Sequence, residues 1–428
     1  MELKTLHELF LKSAGVTTDT RSIQQGQLFF ALKGERFNGN TYASQAVEQG
    51  AIAAIVDEAE FHSNDGTTVL VEDVLSTLQA LATFHRKTLN LTVIGLTGSN
   101  GKTTSKELIR DVLSQKYATL ATIGNLNNHI GVPLTLLRLT KEHEYAVIEM
   151  GANAQREIAF LANIAQPDYG FITNIGKAHL EGFGGEAGVK KGKKELFDYI
   201  ETSNGKVFAN ASDPVMLEIS EGMNRILFGT EVNSPDVYLL KKEPTIHFGW
   251  SHHSYFSGEQ TTQLTGAYNI NNIAAAIAIG RYFEVEAELI NEALTSYKPE
   301  NNRSETRHTA NNALILDAYN ANPSSVQHAL ESFANYEAPE KLCILGDMYE
   351  LGDASAVEHT SVVDLLKRLK LEAVLVGEHF EGVDQDTFKT FTTTEEALTW
   401  LQGTQLKQKT ILLKGSRGMA LERLVPAL

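Results

Sequence analysis

The stretch of sequence that decides the fold begins as an apolar run and ends in a glycine-rich turn. It reads Leu91-Thr92-Val93-Ile94-Gly95-Leu96-Thr97-Gly98-Ser99-Asn100-Gly101-Lys102-Thr103-Thr104. The apolar run predicts a buried strand, and the residues from Lys102 to about Gln115 predict a helix. A strand, a glycine turn and a helix in this order are the context that a phosphate-binding loop requires. Glycines let backbone N–H groups point at phosphate oxygens, and the helix N-terminus favours an anion.

The loop departs from the strict G-x4-G-K-[ST] pattern, because Leu96 stands where the first glycine belongs. An ordinary glycine turn that caps a helix is therefore the alternative. In the phosphate-loop interpretation, Lys102 reaches the β- and γ-phosphates and the Thr103 hydroxyl ligates Mg²⁺. The predicted ATP-binding residues of this loop are Thr97, Gly98, Ser99, Asn100, Gly101, Lys102 and Thr103.

Alternating strands and helices continue on both sides of this loop and predict an α/β protein with mostly parallel sheets. Further central strands are expected at 145–150 and 169–173, a β-rich segment at 237–250, and helices at 269–282 and 286–297. A polar segment at 298–302 contains Pro299 and predicts a break, after which the alternation restarts. The later strands are expected at 313–316, 342–345, 373–376 and 410–413.

The segment before Leu91 has a different pattern, with strands expected at 28–32, 51–56 and 69–71 and a helix at 74–87. We therefore predict three domains: residues 1–88, a central P-loop-type domain at 89–298 with a mostly parallel sheet, and a C-terminal Rossmann-like domain at 299–428.

Composition and charge exclude several classes of protein. The net charge of −16 argues against a nucleic-acid binder, which is usually basic. The longest apolar run, Ile273 to Ile279, is far shorter than a membrane span, so no membrane insertion is expected. Cys343 is the only cysteine, which excludes an intrachain disulfide and a cysteine-cluster metal site. Because the chain begins without a basic and then apolar leader, we expect a cytoplasmic protein.

Glu149 is the predicted carboxylate of the site, because it ends an apolar strand next to the phosphate loop. A carboxylate at the C-terminal end of such a strand is well placed to hold Mg²⁺. A helix cap or a surface acid is the alternative for Glu149. His179 follows another predicted strand, and taken alone a loop histidine is more often structural or solvated.

A run of lysines at 190–194 has two interpretations. Such a run usually forms a solvated face of a helix. Alternatively, Lys190 crowds Lys193 and Lys194 at i+3 and i+4, and crowded like charges favour the neutral amine. A neutral lysine can take up CO₂ to form a carbamate, which is an anionic oxygen ligand for a metal.

At these residues the sequence resembles the Mur ligases, the ATP-dependent amino-acid and peptide ligases of peptidoglycan precursor synthesis. The resemblance covers essentially the whole chain, and residues 97–103 are similar to that family's shortened phosphate loop. The other segments that carry it are Gly124 to Pro133, Glu149 to Asn153, Ala178 to Gly184 and Asp317 to Pro323. These segments are most similar to the family member that adds a D-Ala-D-Ala dipeptide to a UDP-N-acetylmuramoyl-tripeptide.

The resemblance implies a role for each matching residue around ATP and two Mg²⁺ ions. Glu149 would hold the ion between the ATP phosphates, while His179 and a carbamylated Lys193 would hold the second. Lys193 is preferred to its neighbours because residues 193–197 fit the family's Lys-x-Glu-Ile/Leu-Phe pattern. The remaining implied ATP contacts are Asn269 and Asn272 at the adenine, Arg303 at the γ-phosphate and Asp317 near the ribose.

Both other substrates implied by the resemblance are small molecules, and a monomer is expected. The implied contacts are Asp19 and Arg21 for the uridine nucleotide, Asn125 and Asn128 for the muramoyl-peptide, and Asn320 and Asn322 for the incoming dipeptide. The expected reaction activates a carboxylate as an acyl phosphate, which the amine of D-Ala-D-Ala then attacks. Catalysis would depend on Lys102, His179, Lys193 and Arg303. Another amide ligase of the same superfamily, or a P-loop switch ATPase, is the alternative.

Overall fold

Three parallel or mostly parallel sheets follow one another along the chain, in a computed structural model that describes residues 2–229, 236–241, 245–299, 303–383 and 387–428. We call them the N-terminal, central and C-terminal sheets. The predicted break at 298–302 and the predicted β-rich segment at 237–250 lie partly outside the described residues. The predicted domain boundaries near 88 and 299 stay a prediction.

The N-terminal sheet has the strand order β1-β2-β5-β6, with every pair parallel. Its strands are β1 (Val16–Thr17), β2 (Leu28–Phe30), β5 (Ala53–Val56) and β6 (Thr68–Leu70), and a hairpin of β3 (Lys33–Gly34) and β4 (Phe37–Asn38) leaves it. Its helices are α1 (Leu3–Leu11), α2 (Ala43–Glu48) and α3 (Val74–Thr88). The strand predicted over 28–32 ends two residues early, because Leu32 N–H already donates back to the Phe30 carbonyl at 2.9 Å.

The central sheet is entirely parallel, in the order β12-β11-β10-β7-β9-β8. Its strands are β7 (Thr92–Thr97), β8 (Thr119–Ala121), β9 (Tyr145–Glu149), β10 (Tyr169–Ile172), β11 (Lys206–Asn210) and β12 (Arg225–Phe228). The chain runs from β7 toward β8 on one side and later to β10 on the other. The sheet therefore has a switch point at β7, and ligands bind at such points, outside the carboxyl ends of the strands.

Eight helices accompany the central sheet in the described part of the chain: α4 (Lys102–Ser114), α5 (Gly131–Leu136), α6 (Glu157–Ala165), α7 (Leu180–Phe183), α8 (Glu186–Thr202), α9 (Pro214–Ile219), α10 (Ile270–Tyr282) and α11 (Ala287–Ser296). The apolar run Ile273–Ile279 lies in α10 and is buried against α4, which explains its hydrophobicity. A Cβ on Gly280 would come within 2.4 Å of Val112, so the two helices approach closely there. Among the described residues no helix is long and apolar enough to cross a membrane.

A small antiparallel sheet follows, formed by β13 (Asp236–Lys241), β14 (His247–His252), β15 (Tyr255–Phe256) and β16 (Gln260–Thr261). The C-terminal sheet then has the order β17-β18-β22-β19-β20-β21, in which only the pairing of β17 with β18 is antiparallel. Its strands are β17 (Glu305–His308), β18 (Ala313–Leu316), β19 (Lys341–Gly346), β20 (Ala373–Val376), β21 (Lys389–Phe391) and β22 (Thr410–Lys414). Its helices are α12 (Pro323–Asn335), α13 (Ser355–Leu369), α14 (Glu378–Glu381) and α15 (Thr394–Thr404).

Candidate active site

A cavity of about 1200 Å³ opens where the carboxyl ends of the central strands face the C-terminal sheet. Many of the predicted site residues line it: Ser99, Asn100, Gly101, Lys102, Thr103, Asn125, Asn128, Glu149, His179, Asn269, Asn272, Arg303, Asp317, Asn320 and Asn322. The fold therefore brings together residues from two sheets that are far apart in sequence.

The loop after β7 has the conformation that the glycines predict. Gly98 has a φ of +145°, and a Cβ there would lie 1.9 Å from the Thr173 hydroxyl. Gly101 precedes α4 with a φ of +76° and also touches Asn272. Thr97 is buried beneath the loop and donates to the Met150 carbonyl at 2.7 Å. An ordinary turn would not need these close approaches, which leave room for backbone only.

As a residue of a predicted phosphate loop, Lys102 is expected on an exposed loop, and that prediction is wrong. It is the first residue of α4, it is half-buried, and its ammonium donates to the carbonyls of Gly98 at 2.9 Å and Ser99 at 3.3 Å. Burial lowers the pKa of Lys102, while nearby Glu149 opposes that shift. Since the ammonium curls over its own loop, it is placed at the position where a bound phosphate would meet the backbone N–H groups.

Glu149 is buried at the end of β9, which excludes a surface acid. Its carboxylate accepts hydrogen bonds from the Thr103 hydroxyl at 3.1 Å and from the Asn127 amide at 2.8 Å. The ammonium of Lys106, also buried, lies 3.7 Å away. A hydroxyl and a carboxylate form the hard oxygen donor set that Mg²⁺ takes alongside substrate phosphates, so these residues fit that ion.

Lys193 on α8 is 1% exposed, and its ammonium donates to the Ala152 carbonyl at 3.2 Å. It also lies 4.9 Å from the ring centre of Phe183. Burial lowers the pKa of Lys193 to about 7, and the positive charge of Lys102 adds to the effect. Both effects favour the neutral form of this amine.

Crowding by the neighbouring lysines is not the cause, and that part of the prediction is wrong. Lys190 pairs with Glu218 at 2.6 Å, and Lys194 pairs with Asp198 one turn along the helix. Both neighbours point to other carboxylates on the surface, whereas Lys193 points inward. The lysine run therefore combines a solvated face with one buried amine.

His179 lies at the cavity wall in a left-handed conformation, with a φ of +53°. Its Nδ1 atom is 2.6 Å from Glu350 Oε2, although the two groups lack the alignment of a hydrogen bond. The contact with His179 lowers the pKa of the Glu350 carboxyl. Glu350 lies in the loop after β19, so a residue of the C-terminal part of the chain contacts the histidine that is predicted to bind a metal.

Asn269 and Asn272 are both buried and bind each other through an amide hydrogen bond of 2.7 Å. Ser105 on α4 donates to Asn272 at 2.9 Å, which connects this pair to the helix of the phosphate loop. Asp317 follows β18 and pairs at 2.6 Å with Lys414 at the end of the adjacent parallel strand β22. Strand ends that meet at one edge of the sheet explain this pair.

Arg303 stacks on the ring of Tyr319, with its guanidinium carbon 3.5 Å from the ring centre. Asn322 caps α12 by accepting from Ser325 N–H, and its amide also donates to Asn100 Oδ1 at 2.7 Å. The phosphate loop and the start of α12 are therefore in direct contact. Asn320 is exposed at the cavity rim.

Asn128 uses its side chain to accept from the N–H groups of Ile130 and Gly131, so it caps α5 as well as lining the cavity. Asp19 and Arg21 lie outside the cavity, in the region of the N-terminal sheet, and form a two-pronged ion pair with distances of 2.9 and 2.7 Å. Arg21 lowers the pKa of Asp19 to about 2. The predicted substrate-binding roles of these residues stay predictions.

Comparison with known proteins shows the family to which this chain belongs. Profiles described as the Mur ligase family catalytic domain, the Mur ligase middle domain and the Mur ligase glutamate ligase domain match residues 12–87, 96–280 and 302–417. A curated relative from Escherichia coli, UDP-N-acetylmuramoyl-tripeptide–D-alanyl-D-alanine ligase, is 37% identical over 96% of this chain and 93% of its own. The chain belongs to the Mur ligase family.

Two solved structures are similar to this Mur ligase over nearly its full length. MurF from Acinetobacter baumannii has a TM-score of 0.85 and 33% identity, and covers 98% of this chain and 97% of its own. MurF from Thermotoga maritima in complex with ADP has a TM-score of 0.84 and 27% identity, with the same coverage. The predicted three-domain α/β Mur ligase fold is confirmed.

Some residues of this Mur ligase site were missed in the sequence. Asn127 lies inside the segment Gly124 to Pro133, whose neighbours were singled out, so its polarity and position were available signals. Lys106 follows Lys102 by one helical turn on α4, which was a further signal. Tyr319 lies inside the segment Asp317 to Pro323, so its position was an available signal as well. Glu350 gave no local signal, because it meets His179 only after the C-terminal sheet has packed on the central one.

Proposed function

We propose that this Mur ligase joins D-Ala-D-Ala to UDP-N-acetylmuramoyl-tripeptide with consumption of ATP. The observation that carries the proposal is the 37% identity, over 96% of the chain, to a ligase named for that reaction. The cavity supports the proposal, because the phosphate loop and the buried Glu149 line it. Lys193, whose pKa is lowered, donates to the carbonyl of Ala152 in the cavity wall. The expected products are the UDP-muramoyl-pentapeptide, ADP and phosphate.

The phosphate loop would bind the ATP phosphates through its N–H groups and Lys102. The ADP complex of the T. maritima relative supports nucleotide binding by this fold. Asn269, Asn272 and Asp317 would lie at the nucleoside, although the two asparagines are already paired with each other. Arg303 would approach the γ-phosphate from the C-terminal side, with its guanidinium plane held by Tyr319.

Two Mg²⁺ ions would offset the repulsion between an anionic carboxylate and the γ-phosphate, and polarise the oxygen of the transferring group. Thr103 and Glu149 would hold one of them, and Asn127 and Lys106 would orient the Glu149 carboxylate. His179 and Lys193 would hold the other.

Lys193 would serve as a ligand only after carbamylation. The neutral amine attacks CO₂ to form an N–C bond and then loses one proton to solvent, so the neutral amine becomes an anionic carbamate. The lowered pKa supplies the neutral amine, since the charged form is disfavoured by burial and by Lys102. An anionic oxygen ligand is what the Mg²⁺ role requires.

Ligation would proceed in two steps. The tripeptide carboxylate attacks the γ-phosphorus, ADP leaves, and the acyl phosphate forms. The amine of D-Ala-D-Ala then attacks the acyl carbon, phosphate leaves, and the amine loses a proton. Contacts between the C-terminal side and the phosphate loop, such as Asn322 with Asn100, would help to exclude water from the acyl phosphate.

Phosphate release with and without each substrate tests the proposal. Release should require UDP-muramoyl-tripeptide and D-Ala-D-Ala together, with one phosphate for each pentapeptide formed. Equal turnover with free D-alanine would contradict the dipeptide assignment. Phosphate release that is independent of any amine would favour a switch ATPase instead.

A further inference from the structure

Arg156 has an unusual backbone conformation at the edge of the cavity. It precedes α6 with a φ of +71°, in the left-handed region that residues other than glycine rarely adopt. Its N–H donates to Glu195 at 2.6 Å, and the Ala159 N–H donates to the same carboxylate at 3.0 Å, which fixes the turn. Arg156 is exposed and lines the cavity. A strained position that carries a long cationic side chain into a binding site suggests a functional reason for the arginine.

The acidic groups that line the same cavity already have partners. Glu149 accepts from Thr103 and Asn127, and Asp317 pairs with Lys414. Glu157 accepts from the N–H of Asn153 at 2.7 Å, and Asp213 accepts from the N–H of Val215 at 2.8 Å.

The guanidinium of Arg156, in contrast, has no ion pair and no side-chain hydrogen bond within the described residues. The other lining cations are occupied: Lys102 bonds to its own loop, Lys414 pairs with Asp317, and Arg303 stacks on Tyr319. Arg156 therefore offers an anion two parallel N–H donors in the cavity.

An apolar surface lies next to this cation. Phe160 is four residues further along α6, on the same face of the helix, and its exposed side chain also lines the cavity. A guanidinium beside an aromatic ring suits a ligand that has a hydrocarbon chain ending in a carboxylate.

The chain places Arg156 near the reacting group. Lys193 donates to the Ala152 carbonyl, and Arg156 is four positions after Ala152, so the Cα atoms of Ala152 and Arg156 are at most about 14 Å apart. Under the proposed function the reacting carboxylate belongs to the third peptide residue. The side chain of that residue must then extend into the cavity from the neighbourhood of Lys193.

We propose, building on the proposed function, that Arg156 binds a carboxylate at the end of the third residue's side chain. The ligase then prefers a tripeptide that ends in diaminopimelate, whose side chain carries a second carboxylate, to one that ends in lysine. Phe160 contacts the methylene chain of this residue. Lysine keeps the terminal ammonium group but lacks this carboxylate, so its tripeptide offers Arg156 no anion to bind.

Binding of two substrates tests this inference without the reaction. The dissociation constants of the UDP-muramoyl-tripeptides with diaminopimelate and with lysine are measured without ATP and D-Ala-D-Ala, on the full chain. The wild type should bind the diaminopimelate form about tenfold more tightly, as expected for one charged, two-pronged contact. Arg156→Gly keeps the backbone conformation and should reduce this preference to within about threefold, by weakening the diaminopimelate form alone.

Gln166→Gly is the matched control, because Gln166 ends the same helix with a φ of +47° and lies outside the cavity lining. It should leave both dissociation constants unchanged. Equal affinity of the wild type for the two tripeptides, or equal weakening of both by Arg156→Gly, overturns the assignment to Arg156. If neither tripeptide supports phosphate release with D-Ala-D-Ala, the proposed function itself fails; ligation of both with no preference overturns only the inference about Arg156.

Discussion

The ammonium of Lys193 and the carbonyl of Ala152 are 3.2 Å apart and form the hydrogen bond that links α8 to the segment after β9. This contact holds the buried amine on the side of the phosphate loop, within reach of the Lys102 charge that helps to lower its pKa. Glu195, two residues later on α8, binds the backbone of the same segment at Arg156 and Ala159. One turn of α8 therefore determines both the position of the lysine and the course of the cavity wall.

Lys193→Ala and Lys193→Arg should both lose most of the ligase activity, because neither side chain can form the carbamate. Removing a metal ligand or its orienting group typically costs ten- to a hundredfold or more. Steady-state product formation measures the loss, and a small added carboxylic acid should restore part of the activity of the alanine variant.

Lys190→Ala and Lys194→Ala are the matched controls, since both lysines are paired at the surface of α8. They should stay within about twofold of the wild type, as removing an exposed ion pair changes little. Near wild-type activity of Lys193→Arg would show that only the positive charge matters.

Lys102→Ala should reduce ligation on the order of a hundredfold or more, because a positively charged donor to the transferring phosphoryl group is lost. The two hydrogen bonds from Lys102 to its own loop are also lost, so a circular dichroism melt should accompany the rate measurement. A rate within about threefold of the wild type, in a folded variant, would refute the role.

Asn127→Ala should weaken the apparent affinity for Mg²⁺ and leave the protein folded. Its amide donates to Glu149 at 2.8 Å, and groups that orient a metal-binding carboxylate typically contribute ten- to a hundredfold in metal affinity or activity. The Mg²⁺ concentration at half-maximal activity should rise by about that factor. Asn163→Ala, on the exposed side of α6, is the control and should not change it.

The stability of the N-terminal region should fall as the pH is lowered through about 6.5. His7 Nε2 and His85 Nδ1 are 3.0 Å apart, and His85 Nε2 faces the Leu139 carbonyl at 2.9 Å, an arrangement that two neutral imidazoles satisfy. Burial lowers the pKa of His7 and of His85. The unfolded chain therefore binds protons that the folded chain does not, and the free energy of unfolding decreases below the ordinary pKa of histidine.

His7→Gln keeps a donor to His85 but does not titrate. The decrease in melting temperature between pH 7.5 and pH 5.5 should be about 2 °C smaller in this variant than in the wild type, which corresponds to ~1 kcal/mol. His308→Gln replaces an exposed histidine on β17 and should keep the wild-type pH dependence. An unchanged pH dependence in His7→Gln would contradict the prediction.

Much of the fold could be predicted because its signals are local. Apolar strands that end in a glycine turn and a helix identify the phosphate loop, and the regular alternation after Leu91 identifies two parallel sheets. The sequence does not determine where each strand ends. β2 ends at Phe30, earlier than predicted, because the N–H of Leu32 makes its hydrogen bond outside the sheet.

The sequence by itself determined the α/β class, the glycine turn between β7 and α4, and the position of Glu149 at the end of a strand, because each depends on residues that are neighbours in the chain. Only the tertiary structure decided why the amine of Lys193 has a lowered pKa. Sequence spacing attributed it to adjacent lysines, but the desolvation comes from packing of α8, and the added charge comes from Lys102 on another helix. It also decided the contact of His179 with Glu350, which joins the central part of the chain to the C-terminal sheet. Desolvation and Coulomb energy depend on distance in space, and that distance is set only when the sheets pack against each other.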